Sequence, residues 1–260
     1  MGYVTDKDTE ERMKPVLEEL SQYFKPRVKI ERKVEKPVPE KLKKAPPKLN
    51  REMIDYLKSI LDKPNFSVTA RGTKLFGWSS NKMTKLKKIL MDMGLLHTFT
   101  VDLGREFGGR VMLIRLTDEG YKALKRRPPE GQFGIHLRES LEHLWWKEQI
   151  QKDYAARGYK AEIEKELNGK QTDIGVTKGD EIVAVEVELS PKNAVSNLKR
   201  NIEAGFTRTL IACKNYRVKQ EVEKKVKSFA EENNIPDSKY RILLLSEFPF
   251  IKQLHREIRG

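Results

Sequence analysis

EIVAVEVELS, residues 181–190, has the pattern of a core strand that turns acidic near its end. Successive side chains of a strand point to opposite faces, so the run has two faces of different character. One face is wholly apolar and consists of Val183, Val185, Val187 and Leu189. The other face starts with Ile182 and Ala184 and ends with Glu186 and Glu188. Carboxylates on such a strand are costly unless they are paired, protonated or bound to a cation, so we expect a functional or ionic site there.

The elements around this strand predict an α/β fold with a mixed central sheet flanked by helices. Helices are expected at about 136–157, 193–204 and 217–233 and after residue 246, and strands at 159–166, 171–177, 181–189, 207–213 and 240–246. The segment RRPPEGQFG, residues 126–134, is charged and contains proline and glycine, which is typical of a hinge that precedes a domain. We therefore assign residues 129–260 to one domain.

The preceding segment, residues 49–128, has a different order: helix, helix, helix, hairpin, helix. Apolar residues at helical spacing mark the first helix, and Ser79 and Ser80 are typical caps for the third. A short, poorly patterned helix is expected within 67–76. The segments LHTFTVDL and RVMLIRLT predict two strands joined by the turn GREFGGR. The fold class of the whole chain is thus α/β, or α+β overall, with two different domains.

The first 48 residues form a helix and a linker in this interpretation. Residues 1–24 contain an amphipathic helix at about 8–24, which must dock on the body of the chain, on a second copy or on a partner. Residues 25–48 contain ten Lys or Arg and five Pro, a composition that predicts a solvated, extended tether. The same charge would also favour contact with phosphates.

The composition points to a polyanionic partner. Among 260 residues, 52 are Lys or Arg and 38 are Asp or Glu, which gives a formal net charge of +14. No run approaches the roughly 18 apolar residues of a membrane helix, and the N-terminus lacks the pattern of a secretory signal. The single cysteine, Cys213, excludes an intrachain disulfide and a thiolate zinc cluster. We expect a soluble, cytoplasmic protein that binds nucleic acid and no membrane.

Acidic residues also occur on the strands before residue 181. Asp173 opens an apolar strand, and Glu164 lies in the run before it. A cluster of Asp173, Glu186 and Glu188 would offer the hard oxygen ligands that Mg²⁺ and Mn²⁺ prefer. A plainer interpretation is also open, in which the two glutamates pair with lysines and Asp173 caps a turn.

Three helices followed by a two-stranded hairpin resemble the winged helix-turn-helix superfamily over most of residues 50–127. The resemblance implies that the third helix enters the major groove of DNA and that the hairpin contacts the backbone or minor groove. The residues that it assigns to DNA contact are Asn81, Lys82, Lys85, Lys88, Arg105 and Arg110. A solvated helix face and a protein-interaction module are the alternatives.

Thr172-Asp173 on one strand and Glu186-Val187-Glu188 on the next resemble the core motif of the PD-(D/E)XK nucleases, or restriction-endonuclease-like superfamily. The resemblance implies that Asp173 and Glu186, with the Val187 carbonyl, hold Mg²⁺ or Mn²⁺, with Glu188 as a further metal-site carboxylate. Glu188 would also orient or deprotonate the attacking water. It stands where the superfamily usually has lysine, although some of its restriction enzymes have glutamate there.

A narrower resemblance covers about residues 135–215. This segment is similar to archaeal restriction-endonuclease-like proteins that often occur on mobile or conjugative elements. The matching residues are His143, Gly158-Tyr159, Glu164, Gly169 with Asp173, Ala184 with Glu186 and Glu188, and Asn197 through Ala204-Gly205-Phe206. The resemblance adds His143 and Glu164 to the catalytic candidates, whereas a His beside two tryptophans is otherwise a packing residue. Further candidates are Glu139 or Glu142 to complete the site and Lys147 or Lys192 to replace the missing lysine.

Two functions follow from these patterns. The first is a metal-dependent DNA endonuclease that hydrolyses phosphodiesters and uses a winged helix to bind its substrate. The second is a non-catalytic DNA-binding regulator or accessory protein with a degenerate nuclease fold. Net charge does not distinguish DNA from RNA, although the chain has no aromatic RNA-binding motif. Cleavage of both strands with one site per chain would favour a homodimer, with the N-terminal helix or Trp145 and Trp146 as contacts.

Overall fold

The structure is a computed structural model that describes residues 48–128 and 140–260. All of these residues belong to the same compact unit. The expected N-terminal helix, the linker up to residue 47, most of the hinge and Glu139 lie outside the described residues.

The part before the hinge has the expected order of elements. Side chains of Asn50, Ser67, Ser79 and Thr117 accept hydrogen bonds from the first turns of its helices and so define where they start. The elements are α1 (Arg51–Asp62), α2 (Val68–Ala70) continued by a π-helical turn (Arg71–Leu75), α3 (Ser80–Asp92), β1 (Leu96–Asp102), β2 (Arg110–Leu116) and α4 (Asp118–Ala123).

The part after the hinge is built on a five-stranded mixed sheet. Its strand order is β3-β6-β7-β8-β9, with antiparallel pairing up to β7 and parallel pairing from β7 to β9. The elements are α5 (Leu141–Ala156), β3 (Lys160–Ile163), β4 (Glu166–Leu167), β5 (Lys170–Gln171), β6 (Ile174–Lys178), β7 (Glu181–Glu188), α6 (Ala194–Ala204), β8 (Arg208–Cys213), α7 (Tyr216–Glu232), β9 (Tyr240–Leu244) and α8 (Ile251–Arg259). The predicted mixed sheet flanked by helices is therefore confirmed. Among the described residues, no helix is both long and apolar enough to span a bilayer.

The prediction of two uninterrupted strands over 159–166 and 171–177 was wrong. Glu164 has a positive φ of 54°, which ends β3 and turns the chain out of the main sheet. A small hairpin, β4–β5, follows, and its loop residues Asn168 and Gly169 have φ of 49° and 72°. Two successive positive φ values are what a tight two-residue hairpin loop requires, and Asn-Gly is well suited to them. Asp173 follows this hairpin after a single residue, Thr172.

The two faces of β7 pack against different layers, as the alternation predicted. Val185 and Val187 belong to the core that includes the tryptophans of α5. Ala184 packs on the other side, against Ala204 at the end of α6. Trp145 and Trp146 are 2% and 0% exposed, so they are core residues of this chain and offer no exposed surface for a dimer contact.

The hairpin β1–β2 joins two hydrophobic clusters. Residues at its open end, Leu96 and Leu116, pack with α1 and α3. Residues nearer its turn, Leu103 and Leu113, are fully buried in the same cluster as Trp146 and the sheet. The hairpin is therefore packed onto the sheet-containing part of the chain along one of its faces.

This packing predicts that substitutions at two neighbouring positions of β2 change the free energy of unfolding by very different amounts. Leu113→Ala should lower the free energy of unfolding by about 2–5 kcal/mol, because it leaves a cavity in the shared cluster. Met112→Ala, at a side chain that is 40% exposed, should change it by less than about 0.5 kcal/mol. Urea unfolding followed by circular dichroism measures both. Equal losses for the two variants would contradict the burial of Leu113 and the exposure of Met112.

Candidate active site

The structure brings three of the predicted acidic residues together. Asp173 lies just before β6, and the pairing of Ile174 with Val185 sets it beside the last residues of β7. The Val187 backbone N–H donates to Asp173 Oδ2 at 2.8 Å, so Asp173 bonds to β7 rather than capping a turn. The charge of Asp173 raises the pKa of both Glu186 and Glu188, which places all three carboxylates within electrostatic reach of one another.

Glu186 is buried, with 1% of its surface exposed, and its Oε1 atom accepts three hydrogen bonds. The donors are Thr172 Oγ1 at 2.7 Å, Asn201 Nδ2 at 2.8 Å and Arg200 at 2.9 Å. The pKa of Glu186 is nevertheless raised, because burial and the charge of Asp173 outweigh these donors and the charge of Arg200.

Glu188 is 4% exposed and accepts a hydrogen bond from Asn197 Nδ2 at 2.9 Å. Burial, and after it the charge of Glu186, raises the pKa of Glu188 from 4.5 to about 7. Near neutral pH this carboxylate is therefore protonated in part of the molecules. A carboxylate with such a pKa can both accept and return a proton at physiological pH.

One face of α6 supplies the partners of both glutamates. Asn197 and Asn201 are four residues apart, about 6 Å along a helix, and Glu186 and Glu188 are two residues apart, about 6.6 Å along a strand. The chain reverses direction between β7 and α6, so Asn197 meets Glu188 and Asn201 meets Glu186.

Sequence reasoning missed Thr172, Arg200 and Asn201 as site residues. The signal for the two helix residues was present, since polar residues at 197, 200 and 201 share one helix face and follow an acidic strand. Thr172 carried no such signal, because its contact with Glu186 depends on how β6 pairs with β7.

His143 links Asp173 to the backbone of β7. Its Nε2 atom lies 3.2 Å from Asp173 Oδ2 and 2.8 Å from the Val187 carbonyl oxygen. A carbonyl oxygen only accepts, so a hydrogen bond there assigns the proton to Nε2. Burial raises the pKa of Asp173, but the hydrogen bond and charge of His143, with smaller effects of Val187 N–H and Lys147, bring it below its ordinary value. His143 is thus a site residue rather than a mere packing residue.

Of the two lysines considered as substitutes for the missing one, Lys147 lies at the site. Its side chain is 2% exposed, and its Nζ atom is 3.2 Å from Glu164 Oε1. Its charge reaches Asp173, whose pKa it helps to lower. Lys192 is exposed on the turn after β7. Glu164 is therefore linked to Asp173 indirectly, by way of the Lys147 ammonium group.

Glu142 is engaged at the edge of the site. Its Oε2 atom is 2.6 Å from Nζ of Lys214, and the Lys214 backbone N–H donates to the Glu188 carbonyl oxygen at 3.0 Å. Glu142 is therefore tied to the residue that follows β8.

The donor atoms at this site fit a hard divalent cation in kind. Asp173, Glu186 and the Val187 carbonyl present oxygen atoms, and Mg²⁺ is commonly held by one or two carboxylates together with several waters. Among residues 48–128 and 140–260, no three acidic, His or Cys side chains already converge to hold an ion. The place between Asp173 Oδ2 and the Val187 carbonyl is taken by His143 Nε2, so an ion there would require the imidazole to shift.

The residues predicted to contact DNA are all exposed. Asn81, Lys82, Lys85 and Lys88 lie on one side of α3, and Arg105 and Arg110 lie at the hairpin turn. Lys82 is partly engaged, since its Nζ atom is 2.6 Å from Glu52 and 4.7 Å from the centre of the Trp78 ring. Lys85 and Lys88 are the less constrained cations of this face.

The raised pKa of Glu188 predicts a specific dependence of stability on pH. Between about pH 4.5 and 7 the folded chain binds the Glu188 proton more tightly than the unfolded chain does. The free energy of unfolding attributable to Glu188 therefore falls as pH rises through this window and levels off above pH 7. The difference is at most about 3 kcal/mol.

Glu188→Gln keeps an acceptor for Asn197 but carries no titratable proton. We expect this variant to be more stable than the unaltered chain at pH 8 and equal to it near pH 4.5. Urea unfolding from pH 4.5 to 9 measures the difference, with Glu166→Gln, at an exposed position, as the control. Parallel curves for Glu188→Gln and the unaltered chain would show that the carboxyl has no elevated pKa.

Comparison of the chain with protein-family models, with curated proteins and with solved structures found no match.

Proposed function

We propose that this chain is a metal-dependent nuclease of the PD-(D/E)XK type that acts on DNA. The observation that carries the proposal is the meeting of two oxygens from neighbouring strands. Asp173 Oδ2 and the Val187 carbonyl oxygen both contact His143 Nε2, at 3.2 and 2.8 Å. Glu186 and Glu188 flank the same residue of β7. This is the set of oxygens that the superfamily resemblance assigns to metal binding and water activation.

In the proposed reaction Asp173, Glu186 and the Val187 carbonyl are the groups that would hold Mg²⁺ or Mn²⁺. When bound, the ion would polarise the phosphoryl oxygen and lower the pKa of a water. Glu188 accepts the proton of the attacking water, a role suited to a carboxyl whose pKa is about 7. Thr172, Arg200 and Asn201 orient Glu186 by fixing its Oε1 atom. Lys147 provides a buried positive charge near Asp173.

The proposal of DNA as substrate rests on charge and on exposed cations. The chain carries a net charge of +14, and the exposed face of α3 presents Lys85 and Lys88 with no ion pair among the described residues. Contacts of this kind with phosphates release counterions and make binding strongly salt-dependent.

A second candidate function is a DNA-binding protein that has lost its chemistry. It is favoured by the fact that the acids already have partners within the chain. Arg200 is 2.9 Å from Glu186, and His143 contacts Asp173. Glu188, which stands where the superfamily usually has lysine, also favours this second candidate.

Cleavage assays separate the two candidates. With Mg²⁺ or Mn²⁺ we expect the full chain to cut at least one member of a panel of labelled linear duplex, single strand, flap, four-way junction, supercoiled plasmid and RNA. Asp173→Asn retains an acceptor for the Val187 N–H but removes the charge. It should lower the rate by about 100-fold or more while DNA binding persists.

The control for this experiment is Asp180→Asn, which removes the same charge in the exposed turn before β7. It should cut like the unaltered chain, and EDTA should abolish cleavage by both. Binding of DNA without cleavage of any substrate would reject the nuclease in favour of the second candidate.

Binding by α3 is tested by paired lysine variants. Lys85→Ala/Lys88→Ala should weaken duplex binding and reduce the slope of log affinity against log salt by about 2. Lys224→Ala/Lys227→Ala removes the same charge with the same spacing from an exposed face of α7 and should leave the slope nearly unchanged. Fluorescence anisotropy between 50 and 200 mM salt, a range over which phosphate contacts change affinity by orders of magnitude, measures both. Equal slopes for the two pairs would remove α3 as the DNA-contacting helix.

A further inference from the structure

A cavity of about 530 Å³ lies between the hairpin turn and the start of α7. The hairpin contributes Asp102, Gly104, Arg105 and Glu106 to its lining. The opposite wall consists of Lys214, Asn215, Tyr216 and Arg217. Leu244 and Ser246, at and just beyond the end of β9, complete the lining, so the cavity is formed by three segments that are far apart in the sequence.

The cavity is linked to the acidic site through one of its lining residues, Lys214. Cys213, the last residue of β8, pairs with Glu188 of β7, and Lys214 is the next residue. The Lys214 backbone N–H donates to the Glu188 carbonyl oxygen at 3.0 Å. Its Nζ atom pairs with Glu142, the residue before His143, at 2.6 Å. A ligand that contacts Lys214 would therefore touch a residue that is bonded to both Glu188 and Glu142.

Tyr216 gives the cavity an exposed aromatic side chain. It is 65% exposed, more than any other large hydrophobic side chain among the described residues. Its position is fixed by the start of α7, where the Asn215 side chain accepts from Val218 N–H at 3.0 Å. Within the described part of the chain, no other ring or cation stacks on it. A ring at this exposure, on a backbone that the helix start fixes, has a flat face available to a ligand.

Two arginines line the same cavity as this ring. Arg217, whose side chain is 91% exposed, has a weak partner in Glu221 at 3.4 Å. Arg105 is exposed at the hairpin turn and forms no ion pair with the described residues. The nearby Asp102 carboxylate is used within the hairpin turn, where its Oδ1 atom accepts from Gly104 N–H at 3.0 Å. The lining of the cavity therefore combines one exposed aromatic side chain with two guanidinium groups.

We infer that this cavity binds an unpaired nucleotide of the substrate strand, with the base stacked on Tyr216 and the adjoining phosphates on Arg105 and Arg217. Bases in an intact duplex are stacked on each other and cannot present a free face to a side chain. Single-stranded DNA, or a junction between duplex and single strand, fits this arrangement. The inference deepens the proposed nuclease function, because it names the substrate class, and it rests on that function only for nucleic acid as the ligand.

The test uses the full chain without metal and DNA strands that carry the fluorescent base 2-aminopurine. We expect quenching of 2-aminopurine in a single strand or a duplex overhang, since stacking on a ring quenches it, and tighter binding of these DNAs than of blunt duplex. Tyr216→Ala should remove the quenching and weaken single-strand binding by about 5- to 100-fold. Tyr216→Phe, which keeps the ring, should retain the quenching and bind within about twofold of the unaltered chain.

Met112→Ala is the matched control, because it removes another exposed apolar side chain, on the hairpin but outside the cavity. It should leave quenching and affinity unchanged. Unchanged binding and quenching in Tyr216→Ala would overturn the inference, even if the chain cleaves DNA. Single-strand binding that depends on Tyr216 in a chain that never cleaves would support the inference and reject the nuclease. Absence of binding to any nucleic acid would overturn both.

Discussion

A carboxylate that is 1% exposed cannot remain in a protein interior without several donors, and Glu186 obtains them from three separate elements. Thr172 comes from the segment before β6, and Arg200 and Asn201 come from α6. These contacts require β6 to pair with β7 in one register and α6 to cross that face with one rotation. A shift of one residue in β7 would move Glu186 to the apolar face. The burial of this one charge therefore constrains the geometry of the whole acidic site.

The hairpin β1–β2 has a second organising role, because it connects the helical part of the chain to the sheet. Leu113 packs with the sheet core, and Arg115 pairs with Glu148 of α5 at 2.5 Å. Trp145 Nε1 also donates to Asn65 Oδ1, before α2, at 3.2 Å. Arg105 at the turn is thus held relative to the acidic site by packing and by polar contacts. A substrate that touches both would meet a surface whose spacing is already fixed, which reduces the entropy lost on binding.

The sequence predicted the elements well where the pattern was local. The alternation over 183–189 correctly placed the valines in the core, and Ser79 correctly predicted the start of α3, since both features depend only on nearby residues. The acidic cluster could also be predicted, because Asp173 precedes the start of one strand, Glu186 lies near the end of the next, and the two strands are antiparallel neighbours. The positive φ of Glu164 and its contact with Lys147 carried no local signal. Such features depend on contacts between segments that are distant in the sequence, and the local pattern of residues does not predict those contacts.

The pKa values of the three acidic residues depend on how far their partners within the chain offset the burial of the carboxyl groups. The chain supplies its own cations: Arg200 bonds to Glu186, and His143 contacts Asp173. Full compensation would return the pKa of each acid to its ordinary range or below it, as it does for Asp173. The pKa of Glu186 and that of Glu188 both remain raised, with burial as the main cause and repulsion between the acids as the next. The site therefore favours the neutral, protonated form of these two carboxyls more than an exposed glutamate would. Any cation that bound beside Glu186 and Glu188 would have to displace their protons and would lower both pKa values, so its binding would weaken as pH falls.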